Sequence, residues 1–130
     1  KDLQTPPAAI QTRLRLSSGI KALHIETLHL ADERPFAFET RWLNTNAVPE
    51  FESAPLDELS INEWLVKTVP FSNGDVTFSA INANKKIASA LDCDLDRALL
   101  RIDRTTWLGD TFITAMKLYH KENFQLYSKI

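Results

Sequence analysis

Two stretches of apolar and β-branched residues, each broken once by a short polar turn, set the strongest limits on how this chain folds. In the first, Ala22–Leu30 and Phe36–Leu43 flank Ala31-Asp32-Glu33-Arg34-Pro35. In the second, Leu99–Trp107 and Thr111–Tyr119 flank Leu108-Gly109-Asp110. Each pattern predicts an antiparallel hairpin. Placing Ile25 on Ile102 aligns the two without a gap at an offset of 77 residues. The same offset brings Leu14 onto Leu91, Leu23 onto Leu100 and Glu26 onto Asp103. It also aligns the helix-like segments Ala8–Leu16, ending near Gly19, and Lys85–Leu91. The architecture therefore repeats as helix then hairpin, while few identities accompany it and descent from a duplication stays open.

The remaining segments fill in around this repeat. Lys1–Pro7 holds two prolines and reads as an extended lead-in. Asn44–Glu58 is a looser stretch with prolines at 49 and 55. Ser60-Ile61-Asn62-Glu63 is a capping-box pattern that opens a helix through Trp64, Leu65 and Val69, stopped by Pro70. Ser72-Asn73-Gly74-Asp75 predicts a turn and Val76–Ile81 a strand. The sum is an α+β domain: a mostly antiparallel sheet with helices packed on it, in two helix–hairpin units. Only three glycines occur in 130 residues, and alternating βαβ units are missing, which argues against a dinucleotide fold or a phosphate loop.

Composition narrows the function classes. Fifteen basic against seventeen acidic residues, a net charge of −2, give no electrostatic footprint for gripping nucleic acid. No apolar run reaches the length of a membrane helix and no signal peptide opens the sequence. Cys93 is the one cysteine, so no internal disulfide or thiolate cluster forms. A single cytoplasmic domain with no membrane partner is expected.

Side chains alternate between strand faces, so parity separates core from surface. In the first hairpin Thr27 is expected to face Glu39, Ile25 to face Arg41 and His29 to face Ala37, all on one side. Leu28, Leu30, Phe36, Phe38 and Trp42 share the other side and read as the core-facing set. The first side gathers an acid, a guanidinium and an imidazole. That set suits a solvated face with a cross-strand ion pair equally with a polar pocket floor, where a guanidinium grips a carboxylate and a carboxylate accepts an N–H. Histidines 24, 29 and 120 have no metal-ligand spacing, and no nucleophile elbow is present. No catalytic residue, metal or cofactor is therefore assigned. His120 reads as a surface turn residue, and Cys93 between Asp92 and Asp94 as unreactive.

The order of motifs goes further. His29-Leu30-Ala31-Asp32-Glu33-Arg34-Pro35-Phe36-Ala37-Phe38-Glu39-Thr40-Arg41-Trp42-Leu43-Asn44 resembles the first hairpin of the UTRA domain, the effector-sensing half of one branch of GntR-type transcription regulators. Ala47-Val48-Pro49-Glu50-Phe51, Asn62-Glu63-Trp64-Leu65-Val66 and Leu99-Leu100-Arg101-Ile102-Asp103-Arg104-Thr105-Thr106-Trp107 resemble a narrower group, the histidine utilization repressors. Leu118-Tyr119-His120 and Phe124-Gln125-Leu126 fit the same group.

This resemblance implies a chorismate-lyase-like fold over residues 8–130. Residues 1–7 would then link to an N-terminal winged helix–turn–helix, which makes the DNA contacts and is missing here. It implies a homodimeric repressor, not an enzyme, that leaves DNA when urocanate binds. A sensor of another small organic acid, or a lyase-like enzyme acting on an aromatic acid, is the alternative. The ligand residues implied are Thr27, His29, Glu39, Arg41, Asn62, Arg104 and Tyr119. Arg41 or Arg104 would take the carboxylate and Glu39 would accept an imidazole N–H, with Asn62 near the mouth. Thr27 and His29 stand where sugar-phosphate sensors carry basic residues, which argues against a phosphate effector. Two departures bear on this set: Tyr119 falls on the opposite parity from Glu39, and the first turn lacks the usual glycine.

Overall fold

The computed structural model describes residues 2–17, 19–45, 73–122, 124–125 and 127–129. Both hairpins form. The first joins β2 (Ala22–Ala31) to β3 (Arg34–Leu43) and the second joins β5 (Ala98–Leu108) to β6 (Thr111–His120). Asp32 and Glu33 both hold positive φ, 50° and 65°, which gives a tight turn of the kind that matches strand twist. An aspartate tolerates that region and a glutamate is strained there, so the turn closes without the expected glycine at a local cost of about 1–2 kcal/mol.

Below the turn a β-bulge between His29 and Leu30 shifts the register by one residue. It is this bulge that sets Thr27 opposite Glu39, Ile25 opposite Arg41 and His29 opposite Ala37. Without it, Thr27 and His29 would share a face with Phe38 and Trp42. The second hairpin carries a bulge between Thr106 and Trp107, 77 residues further on.

Asp2–Gln4 forms a short edge strand, β1, on β2, where the sequence suggested only a lead-in. Asn73–Asn82 forms β4 on β5. The turn expected at 72–75 is replaced, for residues 73–75, by strand pairing. Gly74 makes this possible: a Cβ there would meet the Thr105 carbonyl at 3.1 Å and Thr106 Cγ2 at 3.3 Å. Among the described residues all pairings are antiparallel, and six strands run in the order β1-β2-β3-β6-β5-β4. Each half thus holds a strand, a helix and a hairpin, in place of the helix and hairpin read from sequence. Thr40 pairs with Lys117, its own counterpart at the 77-residue offset, so the axis relating the halves passes between them.

Helix α1 (Ala8–Arg13) ends at Leu14 and Arg15, before the Gly19 expected to stop it; Arg15 takes φ 51°. Helix α2 (Lys85–Leu91) is capped at its start by the Asn84 side chain, which accepts from the Ile87 amide at 2.9 Å. It closes at Asp92, which is left-handed at φ 53°. Both helices pack on one face of the sheet, hereafter the helix face. Ile10 and Leu14 of α1 meet Ala22, Trp42 and Ala115, and Ile87, Ala88 and Leu91 of α2 meet Phe38, Ala83 and Leu99. The helix expected after Ser60 lies outside the described residues.

The core-facing set needs correction. Phe38 and Trp42 are buried, yet Leu28, Leu30 and Phe36 are exposed by 42%, 55% and 42%. The helices cover the base of the first hairpin, and its tip extends past them. On the other face Ile25, Glu39, Arg41 and Leu43 are all buried. Among the described residues no helix is long and apolar enough to cross a membrane.

Candidate functional site

The face opposite the helices, the far face, collects the polar side chains that parity grouped. Pairing carries the grouping across the sheet. Glu39 lies beside Leu118, Arg41 beside Met116 and Ala37 beside His120. Met116 in turn pairs with Arg104. Thr27, His29, Glu39, Arg41, Arg104 and His120 therefore project from one surface, supplied by four strands.

Its centre is an ion pair two residues apart on β3. Arg41 Nε donates to Glu39 Oε2 at 3.1 Å, with the two side chains 3% and 11% exposed. The other carboxylate oxygen of Glu39 lies 3.5 Å from His29 Nε2, and the His29 ring leans toward Phe36 with centroids 6.1 Å apart. A solvated ion pair was one of two readings of this pattern; burial of both partners removes it. An arginine has five N–H donors, so the bond to Glu39 leaves four others with which to bind a carboxylate.

Arg104 is placed differently. It stands two strands from Arg41, roughly 10 Å away between Cα atoms. It is half-buried, and among the described residues it forms no hydrogen bond or ion pair. An anion reaching this face meets one guanidinium already bonded to a carboxylate and a second that is not.

Tyr119 belongs to the other side. It pairs with Phe38, with ring centroids 6.5 Å apart, and packs beside α2 on the helix face. Burial holds its phenol above the usual range, with the Arg101 charge opposing that shift. It is not brought together with Glu39. Asn62 lies outside the described residues.

The sequence predicts a surface turn position for His120, and the structure differs. His120 is the last residue of β6, 7% exposed, and stacks on Phe124 at 3.6 Å with planes 9° apart. Its Nδ1 is buried and has no hydrogen-bond partner among the described residues. Burial, then the neighbouring His29, lowers its pKa, so at neutral pH the ring is uncharged with one donor and one acceptor nitrogen. The missed signal was strand parity, which carries Ala37 to the same face through its pairing. Cys93 is half-buried, and burial followed by Glu122 raises its thiol pKa, so it is a poor nucleophile. Among the described residues no three His, Cys, Asp or Glu side chains cluster to hold a metal ion.

Comparison with known proteins bears on what this face serves. The sequence pattern of the UTRA domain matches residues 1–124. The chain belongs to the UTRA domain family. Among curated relatives of this UTRA domain, the histidine utilization repressors of Pseudomonas aeruginosa and Pseudomonas putida are each 24% identical over 107 residues, 82% of this chain. The match covers 43% of each repressor, so this UTRA chain spans less than half their length.

Solved structures repeat the fold. The C-terminal domain of the histidine utilization repressor from Pseudomonas syringae superposes with a TM-score of 0.91 at 22% identity, over 98% of this chain and 92% of that one. A GntR-family transcriptional regulator from Enterococcus faecalis superposes with a TM-score of 0.84 at 18% identity, over 99% and 95%.

Proposed function

We propose that this chain is the effector-sensing domain of a GntR-type repressor of histidine utilization, and that urocanate is its inducer. The observation that carries the reading is Arg104, without a hydrogen-bond or ion-pair partner among the described residues, two strands from the buried Glu39–Arg41 pair. Urocanate is a flat imidazole joined through two carbons to a carboxylate. Its carboxylate suits Arg104, with Arg41 as the second donor, and its ring N–H suits the Glu39 carboxylate. Thr27, His29 and the open nitrogen of His120 edge the same face. The resemblance alone adds Asn62, near the mouth; Tyr119 lies on the helix face, away from this set. The names of the Pseudomonas relatives support the histidine-utilization role.

In this reading residues 8–130 form the sensor, with a chorismate-lyase-like fold, and residues 1–7 lead from a winged helix–turn–helix that alone contacts DNA. The full repressor works as a cytoplasmic homodimer, and urocanate releases it from its operator by binding one arrangement of the dimer better than the other. A lyase-like enzyme fits less well, because Glu39 is tied to Arg41 and, among the described residues, no second carboxylate is bonded to it as an acid–base partner. A sensor of another small organic acid is the competing assignment.

A thermal-shift titration with urocanate, histidine and a sugar phosphate separates these. At one hundred times its dissociation constant a ligand adds about 2.7 kcal/mol, which moves the midpoint of a domain this size by several degrees. A shift with urocanate alone is expected; a shift with none of the three overturns the effector assignment.

A further inference from the structure

The helix face holds a cavity of about 340 Å³ between the two helices and the sheet. Ile10 of α1 and Ile87 of α2 wall it, and Thr40, Trp42 and Lys117 are in its floor. Its size is at the lower end of small-molecule sites. By register, Glu26, Thr40, Lys117 and Asp103 form one row across four strands of this floor.

The charges in that row are unequally matched. Glu26 is held by Lys86, with His24 3.9 Å away, and Asp103 accepts from Arg101 Nε at 2.8 Å. Arg13 at the edge is engaged with Thr105 and Asp75. Lys117 is half-buried and forms no hydrogen bond or ion pair among the described residues. Its counterpart on the other side of the axis is Thr40, which is neutral. One ammonium without an ion-pair partner among the described residues therefore stands at the middle of a half-open floor, opposite Asp103, with Trp42 to one side and Tyr119 to the other.

We propose that this cavity is a second ligand site, for a small monocarboxylate with a flat or aliphatic body, distinct from the far-face site. The carboxylate meets Lys117 and the body lies between Ile10, Ile87 and Trp42. Three cations, Arg13, Lys86 and Lys117, and two carboxylates, Glu26 and Asp103, line the cavity, an excess of one positive charge that suits one negative charge and disfavours a phosphate dianion. Because its walls come from the two halves of the chain, an occupant bridges α1 and α2. The site does not depend on urocanate being the inducer.

The test is an amide-resolved NMR titration of the chain with benzoate, with benzyl alcohol as the neutral isostere, on wild type and on Lys117→Gln, Lys117→Arg and Arg104→Gln. Saturable benzoate shifts centred on Thr40, Lys117, Ile10 and Ile87 are expected. Benzyl alcohol and Lys117→Gln should each weaken binding at least tenfold, while Lys117→Arg and Arg104→Gln keep it. No saturable shift, shifts confined to the far face, or equal affinity for benzoate and benzyl alcohol overturns the proposal. That last comparison needs no variant to fold.

Discussion

Replacing Arg41 with methionine keeps most of its volume and leaves the Glu39 carboxylate buried without its main partner. Breaking a buried pair from one side costs about 3–5 kcal/mol, because the surviving charge is stranded in a poor solvent for it. Here Glu39 keeps His29 at 3.5 Å, and the His29 side chain is 35% exposed, so the loss belongs near the lower end, about 3 kcal/mol. For a domain of this length that is a fall in Tm of about 10 °C. Arg41→Met with Glu39→Gln removes both charges and should recover to within about 1 kcal/mol of wild type. Urea denaturation of wild type, both single variants and the double variant gives the coupling directly. An Arg41→Met domain within 1 kcal/mol of wild type, or a double variant as weak as the sum of the singles, would refute the reasoning.

Two further outcomes follow from particular side chains. Asn84→Ala removes the acceptor for the Ile87 amide and should cost about 1 kcal/mol in urea denaturation, with the hairpins' amide shifts unchanged. His120 has its pKa lowered by burial and by His29, so the unfolded chain binds the proton more readily than the folded one. Its contribution to stability is therefore fully present above an unfolded pKa of about 6.5 and declines as pH falls below it. His120→Gln should flatten the stability–pH curve below about pH 6.5; an unchanged slope would contradict a buried neutral imidazole.

Much of the sheet is legible in the sequence because its determinants are local. Alternation and turn residues give both hairpins, and the 77-residue offset relates them. The pairing of Thr27 with Glu39 and Ile25 with Arg41 is also legible, although the bulge that sets it is not. Which face the helices cover is a tertiary matter. Leu28, Leu30 and Phe36 carry the apolar pattern of a core face and are exposed because the hairpin tip outreaches both helices.

Glu39 and Arg41 have the pattern of a surface and are buried as a pair, since each neutralises the other. Arg104 is a candidate from the resemblance alone, but its place two strands from Arg41, with no carboxylate partner among the described residues, shows only in the strand pairing. Gly74 looked like a turn residue because the sequence does not show that another strand's backbone lies 3.1 Å from where its Cβ would be.

The most direct test of the effector assignment is calorimetric titration of urocanate into the wild-type chain and into Arg104→Gln. A charge-assisted bond of about 1.5–3 kcal/mol corresponds to a loss of roughly 10- to 150-fold in affinity. Saturable binding to wild type and that loss in Arg104→Gln is the expected result. Urocanate binding of equal strength to both, or to neither, would contradict the placement of its carboxylate on the far face.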